Sequence, residues 1–281
     1  VARFRAFVLQ SARPGVAVAA ANQRAMLTFL DNGGVQLCVE RRGAGPRHVL
    51  CLHGWISARR MWYDVADRLD PDRFTLYLLD FRGSGLSDRP DHGHDLHGYV
   101  SDAAAALAAI PAPAILVGHS MGGKIAEYLA TERPANLERL ILVAPGSARG
   151  VRLGERHRAL SLEAYGSRKR IEAFQRAAMA AAISEEAMQR IVDDALTGQR
   201  EAWFGWYDHG RSVDFHERLA KIAVPTLCIG GAKDPLAPVS RLRTDVVQAI
   251  SGALLVTLRN AGHNLPVEAP DEIAAAISRF S

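Results

Sequence analysis

The sequence predicts an α/β fold: a doubly wound, mostly parallel sheet with an inserted helical cap. Three observations predict it. Short apolar, β-branched-rich runs alternate with segments of helical period along the chain. The alternation stops after Pro145 and resumes at Val224. Between two such segments, the stretch Leu116-Val117-Gly118-His119-Ser120-Met121-Gly122-Gly123-Lys124 places one serine among three glycines.

Each element follows from its own pattern. Val35 to Glu40 alternates apolar and polar residues like a strand with one wet face, and Asn32-Gly33-Gly34 before it reads as a hairpin turn. His48 to His53 and Phe74 to Asp80 are near-continuous apolar runs, as in strands buried on both faces, with a helix expected over Met61 to Leu69 between them. A helix from Asp102 to Ile110, the strand Ala114 to Val117, a helix from Lys124 and the strand Leu140 to Ala144 continue the alternation. Residues 147–222 are rich in Ala, Arg and Glu with helical period and read as the cap. The strand Val224 to Gly230, a helix over Val239 to Ile250, the strand Ala253 to Leu258 and a helix from Pro270 to Phe280 complete the core. The expected organisation is thus an extension over 1–25, poorly ordered, a core from 26–146 and 223–281, and the cap over 147–222.

Composition narrows the function classes. The chain of 281 residues is 48% apolar and 23% charged, as in a soluble globular protein large enough for one α/β domain with an insertion. Its net charge of +4 resides in the first 25 residues, where Arg3, Arg5, Arg13 and Arg24 meet no acid, so the body is neutral and a nucleic-acid groove is not implied. Cys38, Cys51 and Cys228 each sit in an apolar run without metal-ligand spacing and read as buried free thiols. No metal and no cofactor is expected, and a reducing, cytoplasmic compartment fits best. Export is the alternative, because residues 1–25 combine early arginines with an Ala-rich patch ending in an AxA-like sequence, although Arg13 and Pro14 interrupt the apolar region. No stretch approaches the roughly 18 apolar residues that a membrane span needs.

The serine carries the chemistry. A tight strand-to-helix corner requires small neighbours, which Gly118 and Gly122 supply, and Gly118-His119-Ser120-Met121-Gly122 fits the G-x-S-x-G elbow that holds a hydroxyl beside a helix N-terminus. A serine hydroxyl needs a neutral imidazole to take its proton and a carboxylate to orient that imidazole. In a parallel sheet these should lie beyond the C-terminal ends of other strands. Asp234 follows the strand ending at Gly230-Gly231, His263 follows the strand ending at Leu258, and the order Ser120, Asp234, His263 is that of an elbow serine joined by later loops. His53 precedes a turn glycine and His119 is pinned beside the serine, which leaves His263 free to reach. The expected donors to a developing oxyanion are the backbone amides of Met121 and Trp55.

Together, His53-Gly54-Trp55, Asp80 to Ser87, Gly118 to Gly123, Gly230 to Asp234 and Asn260 to His263 resemble the α/β-hydrolase superfamily over roughly residues 26 to 281. The resemblance implies a Ser120-His263-Asp234 triad with Trp55 and Met121 as its oxyanion hole. It gives Asp80 and Arg82 a salt-bridge or turn role. Serine at 120, rather than aspartate, argues against the superfamily's dehalogenases and epoxide hydrolases. What remains is hydrolysis of a carboxylic ester, thioester or lactone of a small molecule. Perhydrolysis, carbon–carbon bond hydrolysis, or a receptor that keeps the fold without turnover are the alternatives. The carbon–carbon hydrolases commonly carry tryptophan after the catalytic histidine, where this chain has Asn264.

Two features of the cap bear on specificity. Trp203, Trp206 and Tyr207 form an aromatic cluster able to wall an apolar acyl pocket or simply to pack the cap onto the core. Between Arg149 and Arg176 eight basic residues stand against three acidic ones, a segment that would suit an acidic carrier protein or a solvated helical face.

Overall fold

The computed structural model describes residues 5–7, 25–151 and 154–281. Its strands are β1 (Arg5–Phe7), β2 (Met26–Asn32), β3 (Val35–Arg42), β4 (Arg47–Leu52), β5 (Phe74–Leu79), β6 (Ala114–His119), β7 (Leu137–Val143), β8 (Thr226–Gly231) and β9 (Leu254–Leu258). Among the described residues they form one sheet in the order β1-β2-β3-β5-β4-β6-β7-β8-β9. Pairing is antiparallel from β1 to β5 and parallel from β5 onward. Apart from β1 and Ala25, the first 25 residues and the expectations placed on them lie outside the described part.

The Asn32-Gly33-Gly34 turn is the expected hairpin: Asn32 pairs with Val35, and both glycines take positive φ, 65° and 90°, as a two-residue turn between twisted strands demands. β3 departs from the alternation its sequence suggests. Glu40, on the face expected to meet water, is buried, and so is Cys38 on the same face, as its reading as a buried thiol requires. The Asp80–Ser87 loop and Arg59 cover that face, with Ser87 Oγ accepting the Cys38 amide at 2.8 Å and Arg59 Nε donating to Glu40 at 2.9 Å. The thiols of Cys38, Cys51 and Cys228 are all free and buried.

The helices of the core are α1 (Tyr63–Ala66), α2 (Leu96–Ala108) and α3 (Met121–Thr131). The expected helix over Met61 to Leu69 is shorter, a 3₁₀ turn at Arg59–Trp62 running into one turn of α1, because the chain tightens again at Arg68 and Leu69 ahead of Pro71. Conversely, α2 starts six residues earlier than its periodicity suggests, since the Asp95 side chain accepts the Gly98 amide and caps it.

Between β7 and β8 the chain inserts α4 (Glu155–Ala164), α5 (Arg168–Ala178), α6 (Glu185–Leu196) and α7 (Arg200–Asp208). After β8 come α8 (Val239–Leu242), α9 (Leu265–Glu268) and α10 (Pro270–Phe280). The single helix expected over Val239 to Ile250 breaks at Leu242, where a π turn spans Arg243–Val247.

α2 packs on α3, and α1 on α10, so the central strands are buried; every residue of β6 is buried. The sheet register then brings the strand ends together. Leu52 lies beside Gly118, His119 beside Val143 and Gly231 beside Leu258. The loops after β4, β6, β8 and β9 therefore open at one edge, beneath the inserted helices.

Candidate active site

Ser120 sits between β6 and α3 with φ 51° and ψ −112°, a conformation that costs a non-glycine residue about 1–3 kcal/mol. Hydrogen bonds on both sides hold it there. Its amide donates to Val143 O at 3.0 Å, and its carbonyl accepts from Gly146 N at 2.8 Å and Lys124 N at 3.1 Å. The corner closes only because its neighbours lack side chains. A Cβ on Gly118 would stand 2.3 Å from Gly122 O, and one on Gly122 would stand 2.6 Å from the carbonyls of Leu52 and His53.

Asp234, His263 and Ser120 form one hydrogen-bonded chain. His263 Nδ1 donates to Asp234 Oδ2 at 2.8 Å, and Ser120 Oγ is 2.9 Å from His263 Nε2. With the ring proton on Nδ1, the Nε2 lone pair faces the serine hydroxyl. Asp234 Oδ1 accepts the amides of Leu236 and Ala237 at 2.7 and 2.9 Å. Burial alone would raise the pKa of this carboxyl, but the hydrogen bond and charge of His263 and the two amides outweigh it and hold the pKa below its ordinary value.

The other strand-end histidines are committed elsewhere. His119 Nε2 lies 2.9 Å from His263 O, and burial, with the His263 charge adding, pushes the His119 pKa down to about 3, so its ring stays neutral. His53 Nδ1 pairs with Gly54 O at 2.8 Å, and its Nε2 accepts the Phe81 amide at 3.2 Å. Asp80 and Arg82 are likewise structural. Asp80 receives the Arg59 amide at 2.7 Å and its guanidinium at 2.6 Å, while Arg82 forks onto Asp102.

Trp55 and Met121 flank the serine. Among the described residues neither backbone amide donates a hydrogen bond to the protein, and Met121 opens α3, whose N-terminal dipole favours negative charge. The Trp55 indole donates to Trp203 O at 2.9 Å, and its ring packs on Trp203, Tyr207 and Phe174. An otherwise mostly apolar cavity of about 770 Å³ opens from Ser120 and His263, walled by Trp55, Trp203, Trp206 and Tyr207. The aromatic cluster of the cap packs on Trp55 and lines this cavity.

No sequence motif singles out Glu268, yet it builds the loop that carries His263. Its carboxylate accepts the amides of Gly262, Asn264, Ala180 and Ala181 at 2.8 to 2.9 Å. The His263 amide in turn donates to Ala178 O at 2.8 Å, and Asn264 Nδ2 donates to Gln175 at 2.8 Å, so the end of α5 is fastened to the histidine loop. An acid within the first turn of the helix that follows His263 is the one local signal for this role.

Five arginines of the basic segment from Arg149 to Arg176 pair with acids among the described residues. Arg149 pairs with Asp245, Arg158 with Asp208, Arg168 with Asp193, Arg170 with Glu163 and Arg176 with Glu172. No helix among the described residues is long and apolar enough to cross a membrane.

Comparison with known proteins agrees with this architecture. The chain is 30% identical over 261 residues to the AB hydrolase superfamily protein YisY of Bacillus subtilis, covering 88% of this chain and 96% of that one. It is 29% identical to a pimeloyl-[acyl-carrier protein] methyl ester esterase of Pectobacterium carotovorum, over 71% of this chain and 80% of the relative. An esterase from Exiguobacterium antarcticum superposes with a TM-score of 0.82 at 23% identity, covering 90% of this chain and 98% of that one. Residues 49–276 match the sequence pattern of the alpha/beta hydrolase family. The chain, with helices α4–α7 inserted into its sheet, belongs to the α/β hydrolase family.

Proposed function

We propose that this chain is a serine hydrolase that cleaves a carboxylic ester of a small molecule through an acyl-enzyme on Ser120. The observation that carries the reading is the unbroken hydrogen-bonded chain from Ser120 through His263 to Asp234, opening onto a large, mostly apolar cavity.

The steps follow from the geometry. As Ser120 Oγ attacks the ester carbonyl, its proton passes to His263 Nε2, and the Asp234 carboxylate stabilises the imidazolium that forms. The carbonyl π electrons move onto oxygen, and the amides of Trp55 and Met121 receive the resulting negative charge. One preorganised donor of this kind contributes about 2.7–4 kcal/mol. Collapse of the tetrahedral intermediate breaks the bond to the alkoxy oxygen, which takes the proton back from His263 and leaves as the alcohol. Water, deprotonated by the same Nε2, then attacks the acyl carbon, the bond to Ser120 Oγ breaks, Oγ takes the proton back from His263, and the acid leaves.

The substrate is a free small molecule. A carrier-bound ester, as named for the Pectobacterium relative, would call for a basic docking face, and five arginines of 149–176 pair with acids of this chain instead.

A fluorophosphonate probe tests the reading. It should label the folded protein stoichiometrically and fail to label Ser120→Ala; a folded protein that takes no label would overturn it. A panel of esters, thioesters and lactones, run with and without added peroxide, then separates hydrolysis from perhydrolysis.

A further inference from the structure

Four cationic side chains line the cavity: Lys124, Arg170, Arg211 and Arg241. No aspartate or glutamate among the described residues does. Two of the four are satisfied. Arg170 pairs with Glu163, and Lys124 Nζ donates to Arg211 O at 2.8 Å and Val213 O at 2.7 Å.

Arg211 and Arg241 are different. Among the described residues neither forms an ion pair with a carboxylate, Arg241 donating only to Leu236 O at 2.6 Å. Arg211 has its Nε buried without a hydrogen-bond partner among the described residues, and its guanidinium carbon lies 4.9 Å from the Tyr207 ring centroid. Burial lowers the Arg211 pKa, Tyr207 opposes this, and the Arg241 charge lowers it further, so the two guanidinium groups sense one another. A half-buried guanidinium that shares a cavity with a second unpaired guanidinium is a costly arrangement, and an anion bound there would relieve it.

The backbone of Arg211 is fixed relative to the nucleophile. Lys124 lies one turn after Ser120 on α3, and its ammonium holds the backbone of Arg211 and Val213 against that helix. A ligand anchored at Arg211 would therefore span the apolar part of the cavity toward Ser120.

We infer that the cavity takes an ester whose acyl chain ends in a carboxylate, bound by Arg211 with support from Arg241 while the ester group lies at Ser120. A guanidinium fork matches the two oxygens of a carboxylate, and the surrounding apolar wall strengthens the pairing by excluding water. The inference rests on the serine-hydrolase reading for the position of the ester but is tested by binding alone.

The test uses the Ser120→Ala protein, so that turnover plays no part. Quenching of the cavity tryptophans, Trp55, Trp203 and Trp206, reports binding of the monomethyl and dimethyl esters of straight-chain α,ω-dicarboxylic acids of graded length. At the optimal length the monoester, which keeps one carboxylate, should bind roughly tenfold or more tightly than the diester. Arg211→Met should bring that ratio near one, and Arg241→Met should reduce it in part. Each variant is checked by circular dichroism, and either one suffices if the other fails to fold. A ratio near one at every length, no binding of either ester, or a preference that survives in the Arg211→Met/Arg241→Met protein would overturn the inference. Loss of fluorophosphonate labelling in the unmutated protein would instead count against the hydrolase reading, so the two failures are distinguishable.

Discussion

The Glu268 carboxylate brackets His263 without touching its ring: Oε2 accepts the amide of Gly262 and Oε1 that of Asn264, both at 2.8 Å. The same Oε2 accepts the amides of Ala180 and Ala181 from the inserted segment. One acid thus sets the loop that carries the histidine and ties that loop to the cap.

Removing the carboxylate should therefore loosen the histidine. Glu268→Ala is expected to lower kcat by about 10- to 100-fold, the scale on which a misplacement near 1 Å acts, with a smaller change in KM. It should also cost about 1–3 kcal/mol of stability through the stranded amides. Glu268→Gln, which keeps one acceptor, should recover part of both. Steady-state kinetics beside urea unfolding would decide it, since a loss of stability with unchanged kcat would show that Glu268 only holds the fold together.

In the proposed mechanism Asp234 acts through the tautomer and charge of His263. Asp234→Asn should leave the fold in place and reduce kcat by about 10⁴-fold, as expected when the orienting acid of such a triad becomes an amide. Its effect on stability has a defined sign. The folded-state pKa of Asp234 lies below the ordinary value of 3.8, so its contribution is present above that value and is lost as pH falls through the folded pKa. Unfolding followed from pH 6 down to pH 2 should show the unmutated protein losing its advantage over Asp234→Asn at the acid end. Parallel profiles would contradict this.

The elbow tolerates no Cβ. A Cβ at Gly118 would fall 2.3 Å from Gly122 O, a backbone atom that cannot rotate away. Gly118→Ala should destabilise by about 1–3 kcal/mol and move Ser120, which thermal unfolding and the rate of fluorophosphonate labelling would register together.

Glu127 is the buried acid of α3, with neither carboxylate oxygen partnered among the described residues. Burial holds its pKa well above the usual carboxylate range, against the pull of Lys124 and with Asp245 adding. The folded state then keeps a proton that the unfolded chain releases, so this residue weakens stability as pH rises from about 4.5. Glu127→Gln should remove that penalty and gain stability over the unmutated protein as pH increases toward neutrality. A difference between the two that does not change with pH would refute the assignment.

The parts of this protein legible in the sequence are those governed by local rules. Strand and helix periods located the sheet and its insertion, and steric necessity identified the glycines of the elbow. The order Ser120, Asp234, His263, each just past a strand end, identified residues that the parallel register brings within hydrogen-bonding distance. Element ends were less legible: the Asp95 cap moved the start of α2, and burial by the Asp80–Ser87 loop removed the wet face expected of β3.

Only the tertiary structure decided which polar atoms meet across the insertion. The Glu268 contacts with Ala180 and Ala181, the Asn264 contact with Gln175 and the Lys124 contact with the Arg211 carbonyl each join residues more than 80 positions apart. No periodicity connects such positions. Likewise, pairing of the cap arginines with internal acids, and the lack of an acid beside Arg211 and Arg241, depend on where side chains come to rest when the helices pack. The sequence by itself determined that Ser120, Asp234 and His263 would lie together, because strand ends and tight turns are local. The shape and charge of the cavity were decided by packing, because they are properties of distant segments brought face to face.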